Sequence, residues 1–391
     1  MSDLLVFVLI LASLAIGWGL GRYDRKSKRR KEKSTHLSRE YFVGLNYLLS
    51  DKPDQAIETF IHALEVNSDT VETHLALGGL LRKRGEVDKA VAVHQNLLAR
   101  PDLSKENSVE AHFSLAKDYM AAGLLGRAER ILVELAEERG QRRADSLGLL
   151  ATIFEEEKEW AKALIVAGNL KNMGDKSVRV KLGQYCCELA EQCSRAGDLR
   201  EARRYFKLAL AHDRGCVRAS LSRGLMEQKA GNYKEAVKVL QGFVQQDPDF
   251  IPESIPILEA CYDSMASDKG LFQYLNRCLE RYPSVSVVLA LSRRVAVKHG
   301  DEVAGKFLGD QLKKKPSIRG LSQLIDLHIK YAEGSAKENL SILKGFTSTL
   351  LAQKPVYRCG NCGFSGKQLH WLCPSCHTWG VVKPIQGLEG D

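Results

Sequence analysis

At 391 residues, 44% hydrophobic and 27% charged, with 32 glycines and 10 prolines, the chain is neither collagenous, low-complexity nor broadly disordered. Its formal charge of +9 would by itself suit a nucleic-acid or anionic-membrane partner. That charge is localised: residues 22–33 hold eight basic and two acidic side chains, a net +6, and the remainder is close to neutral.

Ahead of that window, residues 4–21 read LLVFVLILASLAIGWGLG, eighteen positions without a charge. As a helix rising ~1.5 Å per residue they span ~27 Å, slightly less than the ~30 Å hydrocarbon core of a bilayer. A single lipid-exposed segment must satisfy its backbone internally, so residues 1–21 are expected to form one transmembrane anchor. A cleavable signal peptide would carry its basic residues on the opposite flank. The +6 on the C-terminal side orients the anchor with its N-terminus outside and the bulk of the chain cytoplasmic. Ser13, Gly17 and Gly21 recur every four residues, a spacing that lets another helix approach closely in the membrane. Residues 22–36 form a basic juxtamembrane linker suited to anionic headgroups.

From residue 37 to residue 354 one pattern recurs with a period near 34. Gly44, Tyr47, Ala56, Phe60 and Ala63 form a first unit, and Gly78, Leu81 and Ala90 repeat it. The second-helix alanine continues at Ala128, Ala163, Ala202 and Ala236, and turn glycines precede several of these at Gly85, Gly123, Gly197 and Gly231. Small residues at Gly44, Gly78, Ala116, Ala151, Ala190 and Gly224 mark where a first helix is crossed by its successor. Such a helix–turn–helix unit cannot bury its apolar face alone, so neighbours must stack. Six units run to Pro248, and three less regular helix pairs follow at about 252–283, 286–316 and 319–352. The spacing G-x2-Y-x8-A-x3-F-x2-A resembles the tetratricopeptide repeat, which implies a binding surface built from the first helices. Helical phase places Arg82, Lys83, Phe113, Lys117, Met120, Arg195, Arg218, Leu221 and Lys229 on that surface as candidate groove residues for an acidic partner segment.

Of ten cysteines, six are scattered through the helices (Cys186, Cys187, Cys193, Cys216, Cys261, Cys278) and are expected to be buried, unbridged thiols. The other four, Cys359, Cys362, Cys373 and Cys376, form two C-x2-C pairs ten residues apart. Two such knuckles facing each other complete a tetrahedral four-thiolate site for one metal ion, zinc or iron. A segment this short cannot build a sufficient core, so a metal cross-link supplies its stability. Gly360 and Gly363 are expected to permit the turn and the approach of amides to sulfur. His377 stands where the second knuckle would ordinarily have glycine. Residues 355–391 thus resemble the rubredoxin and zinc-ribbon type, with Trp371 and Trp379 as packing residues. Basic residues near the module are few (Arg358, Lys367, Lys383), which argues against nucleic acid.

No P-loop, H-E-x-x-H, G-x-S-x-G or dinucleotide fingerprint occurs, and the expectation is that the chain is not an enzyme. The expected fold class is mainly α: a single N-terminal transmembrane helix, a tetratricopeptide-repeat α-solenoid and a small C-terminal rubredoxin or zinc-ribbon-like metal module. That order of parts resembles the lipopolysaccharide assembly protein B family of Gram-negative bacteria. The resemblance implies a bacterial inner-membrane adaptor that limits lipopolysaccharide synthesis. It implies three protein partners: the committed-step deacetylase, a membrane-bound AAA+ zinc protease that degrades it, and an opposing inner-membrane regulatory protein. A scaffold for the envelope transport machinery and a rubredoxin-type electron carrier are the alternatives that the same parts permit.

Overall fold

The computed structural model describes residues 39–50, 52–66, 71–101, 103–138, 140–388 and 390. The expected anchor with Ser13, Gly17 and Gly21, and the linker at 22–36, lie outside these residues; among the described residues no helix is long and apolar enough to cross a membrane.

The chain divides into two compact units, one ending at Ile153 and one beginning at Phe154. The first contains α1 (Arg39–Leu49), α2 (Pro53–Val66), α3 (Val71–Lys83), α4 (Val87–Leu98), α5 (Lys105–Ala121) and α6 (Leu125–Glu137), and most of α7 (Arg143–Glu156). The second continues with α8 (Trp160–Asn172), α9 (Arg179–Arg195), α10 (Leu199–His212), α11 (Val217–Lys229), α12 (Tyr233–Leu240) and the short α13 (Phe243–Gln246). After a 3-10 turn at Pro248–Phe250 come α14 (Ile251–Ser264), α15 (Asp268–Arg281), α16 (Val285–His299), α17 (Asp301–Lys314), α18 (Ile318–Ile329) and α19 (Gly334–Gln353). Three short strands close the chain: β1 (Tyr357–Cys359), β2 (Ser365–Gly366) and β3 (Val382–Pro384).

Within each unit the helices pair as hairpins, and the residue pattern shows why. Ala90, Ala128, Ala163, Ala202 and Ala236 are all 0% exposed, each inside the packed interior of its hairpin. The first-helix glycines approach the side chain one turn beyond that alanine on the second helix. A Cβ on Gly78 would lie 2.4 Å from the His94 ring, and one on Gly224 would lie 2.5 Å from Leu240, so glycine is required by close approach. Gly197 takes φ +86 between α9 and α10, and Asp198 then caps α10 by accepting from the Glu201 amide at 3.0 Å. In the later pairs the start signal changes: Ser284 and Ser317, each following a proline, cap α16 and α18.

The two units differ in how their cores are finished. In the first, buried His94 and Asp118 bond each other, and Asp118 also accepts from Arg82 at 2.6 Å, tying α3, α4 and α5 together. In the second, an apolar cluster including Phe250, Ile251, Leu258, Leu271 and Tyr274 has Leu369 and Trp371 of the C-terminal module packed against it. The six helical cysteines form no disulfide; Cys187 and Cys216 place their sulfurs 3.8 Å apart, and burial pushes the Cys186 thiol up to about 12.

Candidate metal centre and its seat on the repeats

The strands form one antiparallel sheet in the order β2-β1-β3, with Cys359 opposite Val382. Cys359 ends β1, so the first knuckle leaves directly from the sheet. Gly363 turns the chain at φ +78, and its amide donates to the Cys359 carbonyl at 3.1 Å. The second knuckle repeats this geometry: His377 takes φ +50 and its amide donates to the Cys373 carbonyl at 2.9 Å. A histidine therefore occupies the left-handed slot that glycine holds in the first knuckle, at a cost of order 1 kcal/mol that the surrounding sulfur cage must offset. The role expected of Gly360 is corrected: its amide bonds the Val381 carbonyl at 2.8 Å, and the amides aimed at Cys359 Sγ are those of Asn361 and Cys362, at 3.4 and 3.5 Å.

Sγ of Cys359 lies 3.8 Å from that of Cys376, and Sγ of Cys362 lies 3.7 Å from that of Cys373; all four lie within 4.8 Å of one another. A tetrahedron with ~2.3 Å metal–sulfur bonds has edges of about 3.8 Å, so these residues fit one four-coordinate ion. The separation is far beyond the ~2.05 Å of a disulfide. The environment prepares the ligands unequally. Cys376 is pulled down to about 6, first by the Thr378 hydroxyl 3.4 Å away and then by the Asn361 amide. The Cys362 backbone amide lowers Cys359, whereas burial pushes Cys373 up to about 11. A bound metal ion would supply the positive charge that keeps Cys373 deprotonated, and this donor set suits zinc or iron. With four protein ligands the site is closed, which suits a cross-link or a redox centre better than a reaction requiring an open position.

The module sits on the repeats of its own unit through three kinds of contact. Trp379 stands edge-on to Trp160 of α8 and to Tyr185 of α9, with centroids 6.2 and 6.3 Å away. Trp371 stacks on Phe250 at 5.8 Å. Polar bonds fix the rim: Tyr357 donates to Glu253 at 2.8 Å, and Lys383 lies 2.7 Å from Asp247 and 3.3 Å from Asp249. The Ile318 amide donates to the Leu388 carbonyl at 3.2 Å.

This seating changes the reading of the groove residues. Arg218 is 4% exposed and bonds Glu188, Glu191 and Gln184, with its guanidinium 6.0 Å from the Trp379 ring. It is a buried ion-pair residue beneath the module, not an open groove cation, because the module covers the helix face that phase alone leaves open. Leu221 packs into the same core cluster that receives Leu369 and Trp371. In the first unit Phe113 is buried, with Lys117 and Arg142 over its ring at 4.6 and 4.8 Å, and Arg82 is half-buried on Asp118. Lys117 and Met120 are half-buried; Lys83, Arg195 and Lys229 are exposed. Arg142, absent from the sequence-based set, bonds Glu110 twice at 2.7 Å and also Asp145 at 2.6 Å. Its position just ahead of a helix, between Gln141 and Arg143, gave no sign of a groove residue.

Comparison with known proteins agrees with this architecture. A family model described as a rubredoxin metal binding domain matches residues 357–384, and tetratricopeptide-repeat models match residues 73–106 and 194–249. Lipopolysaccharide assembly protein B of Escherichia coli strain K12 is 36% identical over 387 residues, covering 99% of both chains. The protein of the same name from Haemophilus influenzae is 33% identical over 394 residues, covering 98% of this chain and 99% of its own. Among solved structures, that of the MamA protein aligns with a TM-score of 0.35 at 20% identity over 45% of this chain and 90% of its own. With similarity running across the repeats and the metal module alike, the chain belongs to the lipopolysaccharide assembly protein B family.

Proposed function

We propose that this chain is an adaptor of the bacterial inner membrane that limits lipopolysaccharide synthesis. In this reading it promotes proteolysis of the pathway's committed-step deacetylase by a membrane-bound AAA+ zinc protease, and an inner-membrane regulatory protein opposes it. The observation that carries the reading is the similarity over 99% of the chain to proteins named lipopolysaccharide assembly protein B. The architecture supports it physically: stacked helix hairpins offer broad side-chain surfaces for other proteins, and the closed thiolate site offers a brace.

The mechanism is one of effective concentration. An anchor at residues 4–21 confines adaptor and protease to one plane, and capture of the deacetylase makes its delivery nearly intramolecular. Because Arg218 is buried beneath the metal module and Leu221 packs into the helical core cluster, capture falls to surfaces that remain open. In the first unit Lys117 is one such point. Burial holds it below the usual lysine range and Arg82 and Arg142 repel it, while Glu110 and Asp145 offset them in part, so an incoming carboxylate would favour its charged form. The test is to purify the full-length chain from membranes and to probe for both protease and deacetylase. Both are expected to co-purify, and the deacetylase half-life is expected to lengthen when residues 1–21 are deleted. Absence of both partners, with an unchanged half-life, would remove the reading.

A further inference from the structure

A cleft in the second unit carries more positive charge than its own carboxylates neutralise. It has a volume of about 750 Å³, inside the ~300–1,000 Å³ range of ligand sites. It opens among α10, α11 and α12 at the hairpin turn of Gly231, with Met265 just past the end of α14. Four cations line it, Arg203, Lys207, Arg223 and Lys234, against two carboxylates, Glu227 and Glu235. Arginines already hold both carboxylates. Glu227 is 1% exposed and accepts from Arg203 at 2.7 and 2.9 Å and from the Asn232 side-chain amide at 2.8 Å. Glu235 accepts from Arg223 at 2.5 Å. The remainder is positive. Lys207 and Lys234 are exposed and have no partner among the described residues, and the buried Nε of Arg223 donates to nothing.

The arrangement selects among anions. Phosphate is recognised best by a free guanidinium fork or by converging backbone amides. Arg203 has its fork closed on Glu227 and Arg223 holds Glu235, so the unpaired charges are two lysines, each a point charge on a flexible stem. Lys207 comes from α10 and Lys234 from the first turn of α12, so they suit two carboxylates spaced along a chain better than one compact anion. The cleft also has an apolar floor: Tyr233 and Met265 are half-buried and packed against the apolar cluster of this unit. An inorganic anion gains nothing from such a floor, whereas an aliphatic side chain does. We propose that this cleft binds an acidic peptide segment of another protein, in which two carboxylate side chains flank an apolar one. The carboxylates pair with Lys207 and Lys234, and the apolar side chain rests on Tyr233 and Met265. Both lysines stand on second helices of their hairpins, so the site is separate from the first-helix surface that the repeat pattern implies. It does not depend on which protein supplies the segment.

The experiment is fluorescence anisotropy of the full-length chain in detergent, with empty micelles as the blank. The probe is a short fluorescein-labelled peptide in which aspartates flank a leucine, its C-terminus amidated. Saturable binding is expected by about 100 µM protein, weakening as salt is raised. Lys207→Glu combined with Lys234→Glu is expected to weaken it at least tenfold. Because neither lysine has a partner to lose, circular dichroism and metal content should stay unchanged in that variant. Lys298→Glu combined with Lys306→Glu makes the same change in net charge at exposed positions outside the cleft and is expected to leave binding intact. The same peptide with asparagine in place of aspartate should not bind, and an excess of inorganic phosphate should not displace the acidic one. No saturable binding at about 100 µM overturns the proposal. So does equal binding by the Lys207→Glu, Lys234→Glu variant, or an equal loss in the control pair, which would reduce the effect to overall charge. Displacement by phosphate also overturns it, and makes the cleft a small-anion site.

Discussion

Trp379 of the metal module meets Trp160 of α8 edge to face, with ring centroids 6.2 Å apart and planes at 76°. Tyr185 completes the cluster, stacked on Trp160 at 6.0 Å and edge-on to Trp379. This wedge joins a metal-held module with little core of its own to the helices of the second unit. Trp379→Ala is therefore expected to lower stability by about 3 kcal/mol, the cost of emptying a buried aromatic site. The thiolates are untouched, so metal content should remain one ion per chain. Thermal unfolding together with elemental analysis checks this; an unaltered melting temperature would show that the wedge contributes nothing.

Cysteine substitution has the opposite signature. Cys359 and Cys373 are the two buried ligands, one from each knuckle. Replacing both with serine removes half the donor set and is expected to abolish metal binding. Amide hydrogen exchange should then rise across residues 355–388 while the helices of the first unit keep their protection. The absorption spectrum of the unmodified protein separates the two candidate ions: ferric four-thiolate sites are red, and zinc sites are colourless. A double variant that retains a full equivalent of metal would contradict the assignment.

The pH dependence of metal retention follows from Thr378. Its hydroxyl is the first cause holding Cys376 down at about 6 against an ordinary value of 9.0. A depressed thiol favours the folded module fully above pH 9, and that contribution fades as pH falls toward 6. Thr378→Val removes the hydroxyl and raises the Cys376 pKa. Protons then compete with the metal at a higher pH, so the midpoint of acid-induced metal release should move upward by about one unit. Titration with a zinc-sensitive dye reads this directly. Release at the same pH in both proteins would show that the hydroxyl does not tune the ligand.

Much of this architecture is legible in the sequence. The alanine beat from Ala90 to Ala236 marks the packed interior of each hairpin, and periodicity reports such local packing well. The cysteine spacing was equally informative, because knuckle geometry fixes ligand positions within four residues. What stayed hidden was the seat of the module. Trp379 and Trp160 are far apart in the chain, and no local pattern reveals that one covers the other. Arg218 shows the consequence: helical phase assigns it to an open groove face, but phase cannot say that the chain's own C-terminal module lies against it. Likewise His377 looked out of place until its backbone proved to adopt the same left-handed turn as Gly363.

The contrast between Arg218 and Lys117 gives a prediction that separates scaffold from recognition. Arg218→Ala leaves Glu188 and Glu191 without their buried partner and withdraws support from Trp379. It should cost about 3 kcal/mol of stability, and any loss of deacetylase capture should track the fraction unfolded. Lys117 has no such structural duty: it rests on the Phe113 ring at 4.6 Å, beside Arg142 whose charge Glu110 and Asp145 already satisfy. Lys117→Glu should therefore cost less than Arg218→Ala, about 1 kcal/mol, the ordinary scale of a point substitution. It should nevertheless weaken capture at least tenfold, the scale of a lost charge-assisted bond replaced by repulsion. Arg195→Glu, an exposed cation of the second unit, tests independently whether that rim takes part. Capture measured by pull-down, with melting recorded on the same samples, distinguishes the cases. If Lys117→Glu captures the deacetylase as well as the parent chain does, the acidic-segment reading of the first-unit face fails.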